Sequence, residues 1–355
     1  MDSNYLKKKY ISIITLIVIF LLITLISVLN LYYSKLNKNN KNKYYESFLN
    51  INENKKITKK FNLVYLKTNY KDYDYDIFKC NNEKIWHGDV ESIYIIDLLD
   101  TTNINIIQST IYNLPSKIDI LVYNSNVYKK DVINTIIDNK KPKILIYNAD
   151  EFGNREHDYE MFKKVPLVYR QHIFKHYPKL RHVKTFPLGY HCWDSNYIKN
   201  IKDIKPVLQR KYIWCFMGSP KGKRKKYVDY LENYLQPYFN NITKYGENTK
   251  IFNNSMFAIC PPGNYSIECF RQYAASLNGS IPILICPKHE FDFFYNTFDL
   301  KPHWISVSTP TECVNIIKFY LDNPNKMIQL QKEVIQWFPE IKLRINRQIN
   351  KILNE

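Results

Sequence analysis

From residue 61 onward the chain alternates short unbroken apolar runs with longer stretches whose apolar residues recur every three to four positions. Unbroken runs of four to six residues read as strands covered on both faces, and the periodic stretches as helices packed over them. Leu63–Leu66, Ile93–Ile96, Ile118–Tyr123, Ile144–Tyr147, Leu167–Arg170 and Val183–Phe186 form a first set of predicted strands. Tyr212–Met217, Met256–Cys260, Ile281–Cys286 and Trp304–Val307 form a second. Helices are predicted over 128–138, 222–236, 266–278, 310–322 and 325–336. The polar stretch Lys199–Lys211 separates the two sets. The pattern therefore predicts an α/β protein with two Rossmann-like domains, 61–205 and 206–355, facing each other across a cleft at the carboxyl ends of their strands.

The first 60 residues follow a different rule. Ile11–Tyr33 carries no charge over 23 residues, a length that spans a bilayer as a helix. Its length and the lack of a small-residue cleavage site favour a retained signal-anchor over a removed leader. Residues 1–10 then form a short N-terminal tail. Residues 34–60, rich in Asn and Lys, read as a polar stalk with little to bury. Lys7, Lys8 and Lys9 precede the span and Lys35, Lys38, Lys41 and Lys43 follow it, so charge alone does not orient it.

Net charge is +18, from 51 basic and 33 acidic residues, and the stalk holds eight Lys against two Glu. A basic surface attracts anionic membranes, nucleotide sugars or nucleic acid. No nucleic-acid motif with its aromatic spacing is present, so no nucleic-acid partner is expected. The seven cysteines, at 80, 192, 215, 260, 269, 286 and 313, contain no C-x-x-C pair and support neither a zinc ribbon nor a redox motif. Cys215, Cys260 and Cys286 fall in apolar strand patterns and are expected to pack as small hydrophobes. Sequons occur at Asn241, Asn253, Asn264 and Asn278, of which Asn241 is the best placed for modification.

Candidate chemistry concentrates in Ser255–Ile285. An apolar strand there meets a Pro-Pro-Gly-Asn turn and a helix expected to open near Ser266. A strand, a glycine turn and a helix start together aim unpaired N–H groups at one point and favour an anion. Gly263 and Asn264 shape the turn, and Glu268 and Arg271, three apart, would share a helix face. A carboxylate for ribose hydroxyls beside a guanidinium for phosphate suits a sugar nucleotide. An ordinary surface ion pair is the competing account. Trp214–Met217 ends in Gly218 and Ser219 ahead of the basic run containing Arg224, a second place to cradle a diphosphate.

On the first domain, Asp150 and Glu151 close a predicted strand and offer a base to take a hydroxyl proton. His191 and Asp194 compete for that task, and Arg170 and Tyr190 are candidates to line the acceptor side. Asp72-Tyr-Asp74-Tyr-Asp76 holds two D-x-D strings, but no apolar strand leads into them, and a solvated loop is the better account.

The block resembles the C-terminal signature of exostosin-type glycosyltransferases. Cys260, Pro261, Gly263, Asn264, Glu268, Arg271, Gly279, Ile281 and Pro282 match it. DEFGN from Asp150, PLGY from Pro187 and WCFMGSPKGKR from Trp214 resemble the ribitol-xylosyltransferase branch in the same order. Two departures stand out: Ala274 and Ala275 where relatives often carry an acid, and Pro262 where Arg or Lys is frequent. The resemblance implies a GT-B fold and inverting transfer of a sugar, with xylose the lean, from a UDP-linked donor to a glycan hydroxyl. It implies no metal and no further cofactor. It also implies a single-pass type II protein of Golgi or endoplasmic reticulum, or a viral equivalent, with a cytosolic residue 1–10 tail and a lumenal head. A catalytically silent glycan-binding protein on the same fold, and a metal-dependent transferase using Asp72–Asp76, are the rival expectations.

Overall fold

A computed structural model of the chain describes residues 60–66, 92–125, 129–148, 153–190, 200–220, 222–240, 247–263 and 266–355. The predicted span at 11–33, the stalk and the Asp72–Asp76 strings lie outside these residues. Lys59–Glu355 forms one compact unit. Its described residues form two sheets, and every strand pairing among them is parallel.

The first sheet runs β2-β1-β3-β4-β5-β6, built from β1 (Phe61–Leu66), β2 (Ile104–Ser109), β3 (Ile120–Asn124), β4 (Ile144–Asn148), β5 (Leu167–Arg170) and β6 (Val183–Thr185). The second runs β11-β10-β9-β7-β8, from β7 (Tyr212–Phe216), β8 (Tyr238–Asn240), β9 (Ser255–Cys260), β10 (Ile281–Ile285) and β11 (Ile305–Val307). Strand residues alternate between faces, which shows directly in the first sheet. Leu63, Ile120, Val122, Ile144, Ile146 and Tyr169 join a core shared with the second half. Val64, Leu121, Leu145 and Val168 pack instead with Ile133, Ile136 and Ile137 of α2 (Lys130–Lys140) and Phe162 of α3 (Tyr159–Phe162). Both faces are covered, which is why these strands read as unbroken apolar runs.

The run Ile93–Ile96 is not a strand but part of helix α1 (Ser92–Leu98). Its β-branched residues imitate a strand locally, yet the buried pairs Tyr94/Leu98 and Ile95/Leu99 are spaced four apart, the period of a helix face. Strands β2 and β8 escape the apolar pattern because they lie at sheet edges and carry polar or half-exposed positions such as Asn105, Gln108 and Asn240. The remaining helices are α4 (Lys223–Glu232), α5 (Asn248–Asn253), α6 (Phe270–Leu277), α7 (Lys288–Tyr295), α8 (Pro310–Asp322) and α9 (Pro324–Asn354).

Helix α9 has 31 residues, so it is about 46 Å long at ~1.5 Å per residue. Its early part serves the second half: Gln331 accepts from Val207 N at 2.8 Å and donates to Gly279 O at 2.9 Å. Its later part crosses to the first. Asn346 accepts from Asp100 N (2.6 Å) and donates to Leu98 O (2.8 Å), while Lys143 Nζ donates to Leu353 O (3.1 Å). Pro339 lies inside the helix between these parts. Among the described residues no helix is long and apolar enough to cross a membrane.

Candidate active site

Strands β7 and β9 are parallel neighbours, so their carboxyl ends lie side by side. Beyond β7 comes Met217–Gly218, and beyond β9 comes Pro261–Gly263. Arg271, in the first turn of α6, reaches across both ends. Its Nε donates to Met217 O at 2.7 Å, its Nη1 approaches Pro261 O at 3.4 Å, and its guanidinium lies 5.0 Å from the centre of the Phe216 ring. Among the described residues Nη2 has no hydrogen-bond partner, and the side chain is only partly buried. Gly218 makes this approach possible. Its φ is +151°, and a Cβ there would stand 2.8 Å from Arg271 Nη2. Ser219, beside it, is half-buried.

Arg224 of α4 donates from Nη2 to Pro262 O at 3.0 Å. A guanidinium from α4 thus stands against the backbone of this turn. Gly263 N donates to Ser266 O at 2.9 Å, closing the turn. Gly218, Arg224, Gly263 and Arg271 are therefore brought together. Asn264 lies outside the described residues.

Glu268 departs from expectation. Helix α6 begins at Phe270, after an extended Cys269 (φ −149°, ψ 160°), and Ser266 Oγ accepts from Glu268 N at 3.1 Å. Glu268 thus precedes the helix, and the three-residue spacing does not place it on the face of Arg271. Its side chain points instead into the first half of the unit. Oε1 accepts from Leu188 N at 2.8 Å and from the Tyr273 hydroxyl. Oε2 has no hydrogen-bond partner and lies 3.5 Å from His172 Nδ1, itself without one. Burial pushes the Glu268 carboxyl up to about 8, against the pull of its two hydrogen bonds. Burial, then the charge of Arg170, pushes His172 down to about 3. The pair is a contact between two groups that both favour their neutral forms, not an ion pair. Glu268 is 1% exposed, so its carboxylate does not face open solvent where a ribose would sit.

The first sheet presents its own strand ends to this junction. Asn148 ends β4, fully buried, with neither amide atom hydrogen-bonded, while its backbone carbonyl accepts from Ser125 N at 3.1 Å. Asp150 and Glu151 follow it after Ala149 and lie outside the described residues, as do His191 and Asp194. Arg170 does not line an open surface. It is fully buried, with its guanidinium 4.5 Å from the Tyr177 ring centre, 5.0 Å from Tyr147, 5.4 Å from Tyr159 and 5.9 Å from Phe162. Its cation is held by ring faces on the covered side of the sheet. Tyr190 is also buried. It bonds Asp97 through its hydroxyl and packs edge-on against Tyr94 at 5.3 Å. Gly189 (φ +79°) lets the turn close on Tyr94, whose ring occupies the space a Cβ would need. The PLGY string thus packs a turn.

His172, Asn148 and Tyr273 were not singled out from sequence. The φ of His172 (+52°), uncommon outside glycine, is invisible in a string of letters. Cys215, Cys260 and Cys286 are buried free thiols, as their strand positions predict. The sequon at Asn278 is closed to modification in the folded chain, because the residue is fully buried and its amide donates to Ala274 O at 2.8 Å. No group of three or more His, Cys, Asp or Glu that could hold a metal occurs among the described residues.

No family model and no curated protein matches the chain. Among solved structures it is similar to an alpha-glucosyltransferase in complex with UDP and a 13-mer DNA containing an HMU base, at 11% identity over 84% of this chain and 100% of that one, TM-score 0.46. It is also similar to T4 phage BGT in complex with UDP-glucose, at 12% identity over 83% and 100%, TM-score 0.44. Anabaena HepE in complex with UDP-glucose follows, at 10% identity over 82% and 99%, TM-score 0.40. Likeness this loose speaks to neither substrate nor chemistry.

Proposed function

We propose that the chain is a glycosyltransferase of GT-B architecture that moves a sugar from a UDP-linked donor to a saccharide hydroxyl. The observation that carries this reading is Arg271 Nη2, without a hydrogen-bond partner among the described residues, over Gly218 where two parallel strands end. Beside it lies the Pro261–Gly263 turn that Arg224 also reaches. A diphosphate leaving group gains charge as the bond to the sugar carbon breaks. Fixed guanidinium donors stabilise that charge because they need no reorganisation when it appears. Gly218 and Gly263 would let the phosphates approach the backbone, with Ser219 as a further donor.

The reaction is read as a single displacement with inversion. The acceptor oxygen bonds the anomeric carbon as the bond to phosphate breaks, and Asp150 or Glu151, following β4, takes the hydroxyl proton. The diphosphate charge is met by Arg271 and Arg224, without metal. Glu268 is proposed to accept from the ribose, which requires its buried contacts with Leu188 and His172 to open; in this structure it ties the Leu188 turn to the second half. The exostosin type, the lean to xylose, and a type II membrane protein anchored by residues 11–33 with its head lumenal rest on the matched strings and the apolar span alone.

Calorimetric titration with UDP tests the core of this. Arg271→Ala should weaken UDP binding by about ten- to a hundredfold, the worth of one charge-assisted contact, and added EDTA should leave the parent unchanged. A variant that binds UDP like the parent would end the assignment.

A further inference from the structure

Away from Gly218 an open groove of about 270 Å³ lies between the loop joining β5 to β6 and the end of α7. Four of its lining residues are cations, Lys175, Lys179, Arg181 and Lys184, and among the described residues no carboxylate lines it. Lys175, Lys179 and Arg181 are exposed and make no ion pair among the described residues; Lys184 has a loose one, 3.8 Å from Asp299. Like charges gathered without acids repel one another, and an anionic ligand relieves that repulsion.

The aromatic wall narrows the class of ligand. Phe293 carries Lys175 Nζ at 5.6 Å from its centre, and Phe174 packs edge-on against Tyr177 at 5.5 Å. Tyr177 has the buried Arg170 guanidinium 4.5 Å from its ring centre. Rings so engaged offer little free face to stack a nucleobase. What the groove presents is charge, with the exposed amide of Asn296 beside it; the Thr297 hydroxyl is taken up by Phe294 O and Thr185.

The groove is joined to Gly153, which follows the candidate bases in the sequence. A Cβ on Gly153 would meet the Phe174 ring at 3.1 Å, and His176 Nε2 lies 3.0 Å from Gly153 O. Gly153 follows Glu151 by two residues.

We propose that this groove holds an oxyanion-bearing stretch of the acceptor, so that the enzyme acts on an acidic saccharide whose phosphate, sulfate or carboxylate sits among Lys175, Lys179 and Arg181. The proposal rests on the transferase reading above. The test is binding of the purified full chain to labelled hexasaccharides carrying carboxylate, sulfate or phosphate, with neutral maltohexaose and a six-base oligothymidylate beside them. At least one acidic hexasaccharide should bind about tenfold tighter than maltohexaose, weaken with added salt, and lose that advantage in Lys179→Glu/Arg181→Glu. UDP binding should be the same in both proteins. Equal binding of acidic and neutral sugars, or an unchanged double variant, overturns the groove and leaves the donor site standing. Tighter binding of the oligothymidylate than of every saccharide, lost in the double variant, overturns the saccharide assignment. Loss of UDP binding in the parent instead defeats the transferase reading itself.

Discussion

Replacing Glu268 by Gln isolates the buried contact between the two halves. The carboxyl titrates near 8 in the folded protein against 4.5 when unperturbed. Folding therefore favours its protonated form. That contribution is complete below 4.5 and fades as pH rises through about 8. Between pH 6 and 8 the linkage comes to about 2 kcal/mol, from two-state titration at 1.36 kcal/mol per pKa unit. His172 acts in the opposite sense, stabilising above 6.5 and losing that as pH falls towards 3, but it is common to parent and variant and cancels between them. The amide keeps an oxygen for Leu188 N and the Tyr273 hydroxyl, and its NH₂ can donate to His172 Nδ1. Intrinsic-fluorescence melting at pH 6, 7 and 8 is the assay. Relative to Glu268→Gln, the parent should lose about 3 °C over that range for a unit of this size. Parallel curves for the two proteins would refute a carboxyl buried at this junction.

Three further outcomes follow from packing. Gly218→Ala puts a methyl 2.8 Å from Arg271 Nη2 and should weaken UDP binding about tenfold while leaving the melting temperature within ~2 °C; an unchanged affinity would detach Gly218 from the site. Gly189→Ala drives a methyl into the Tyr94 ring at a φ of +79° and should cost about 2–4 kcal/mol in denaturant unfolding, whereas a loss under ~1 kcal/mol would contradict that packing. Arg210 donates to the carbonyls of Lys205, Phe252, Ser255 and Asn278. Arg210→Ala should cost about 3 kcal/mol or more, because several buried acceptors lose their donor together, and a mild effect would argue that water replaces it.

The central strands were legible because both their faces are covered, which leaves unbroken apolar runs such as Ile144–Asn148. Edge strand β2 and the short helix α5 were not, since Ile104–Ser109 and Asn248–Asn253 mix polar and apolar positions, whereas the edge strands β6 and β11 keep enough apolar character to be read. The full length of α9 was hidden by Pro339, which reads as a stop in sequence but is tolerated within the helix. The meeting of Gly218, Arg224, the Pro261–Gly263 turn and Arg271 was legible because neighbouring strand ends bring it about. The direction of Glu268 was not, because it turned on where α6 begins, three or four residues later than the spacing suggested. The ring cage around Arg170 and the basic groove join residues that are far apart in the chain, such as Lys175 and Phe293, and leave no local trace.

The apolar face of the first sheet is roofed partly by the far end of α9, through Ile341, Ile345, Ile349 and Leu353. During synthesis that face must therefore wait, unsheltered, until more than 150 further residues have left the ribosome. The first half thus gains the last of its apolar cover only when the final helix arrives, and a tag or trim near residue 350 acts on strands laid down at the start.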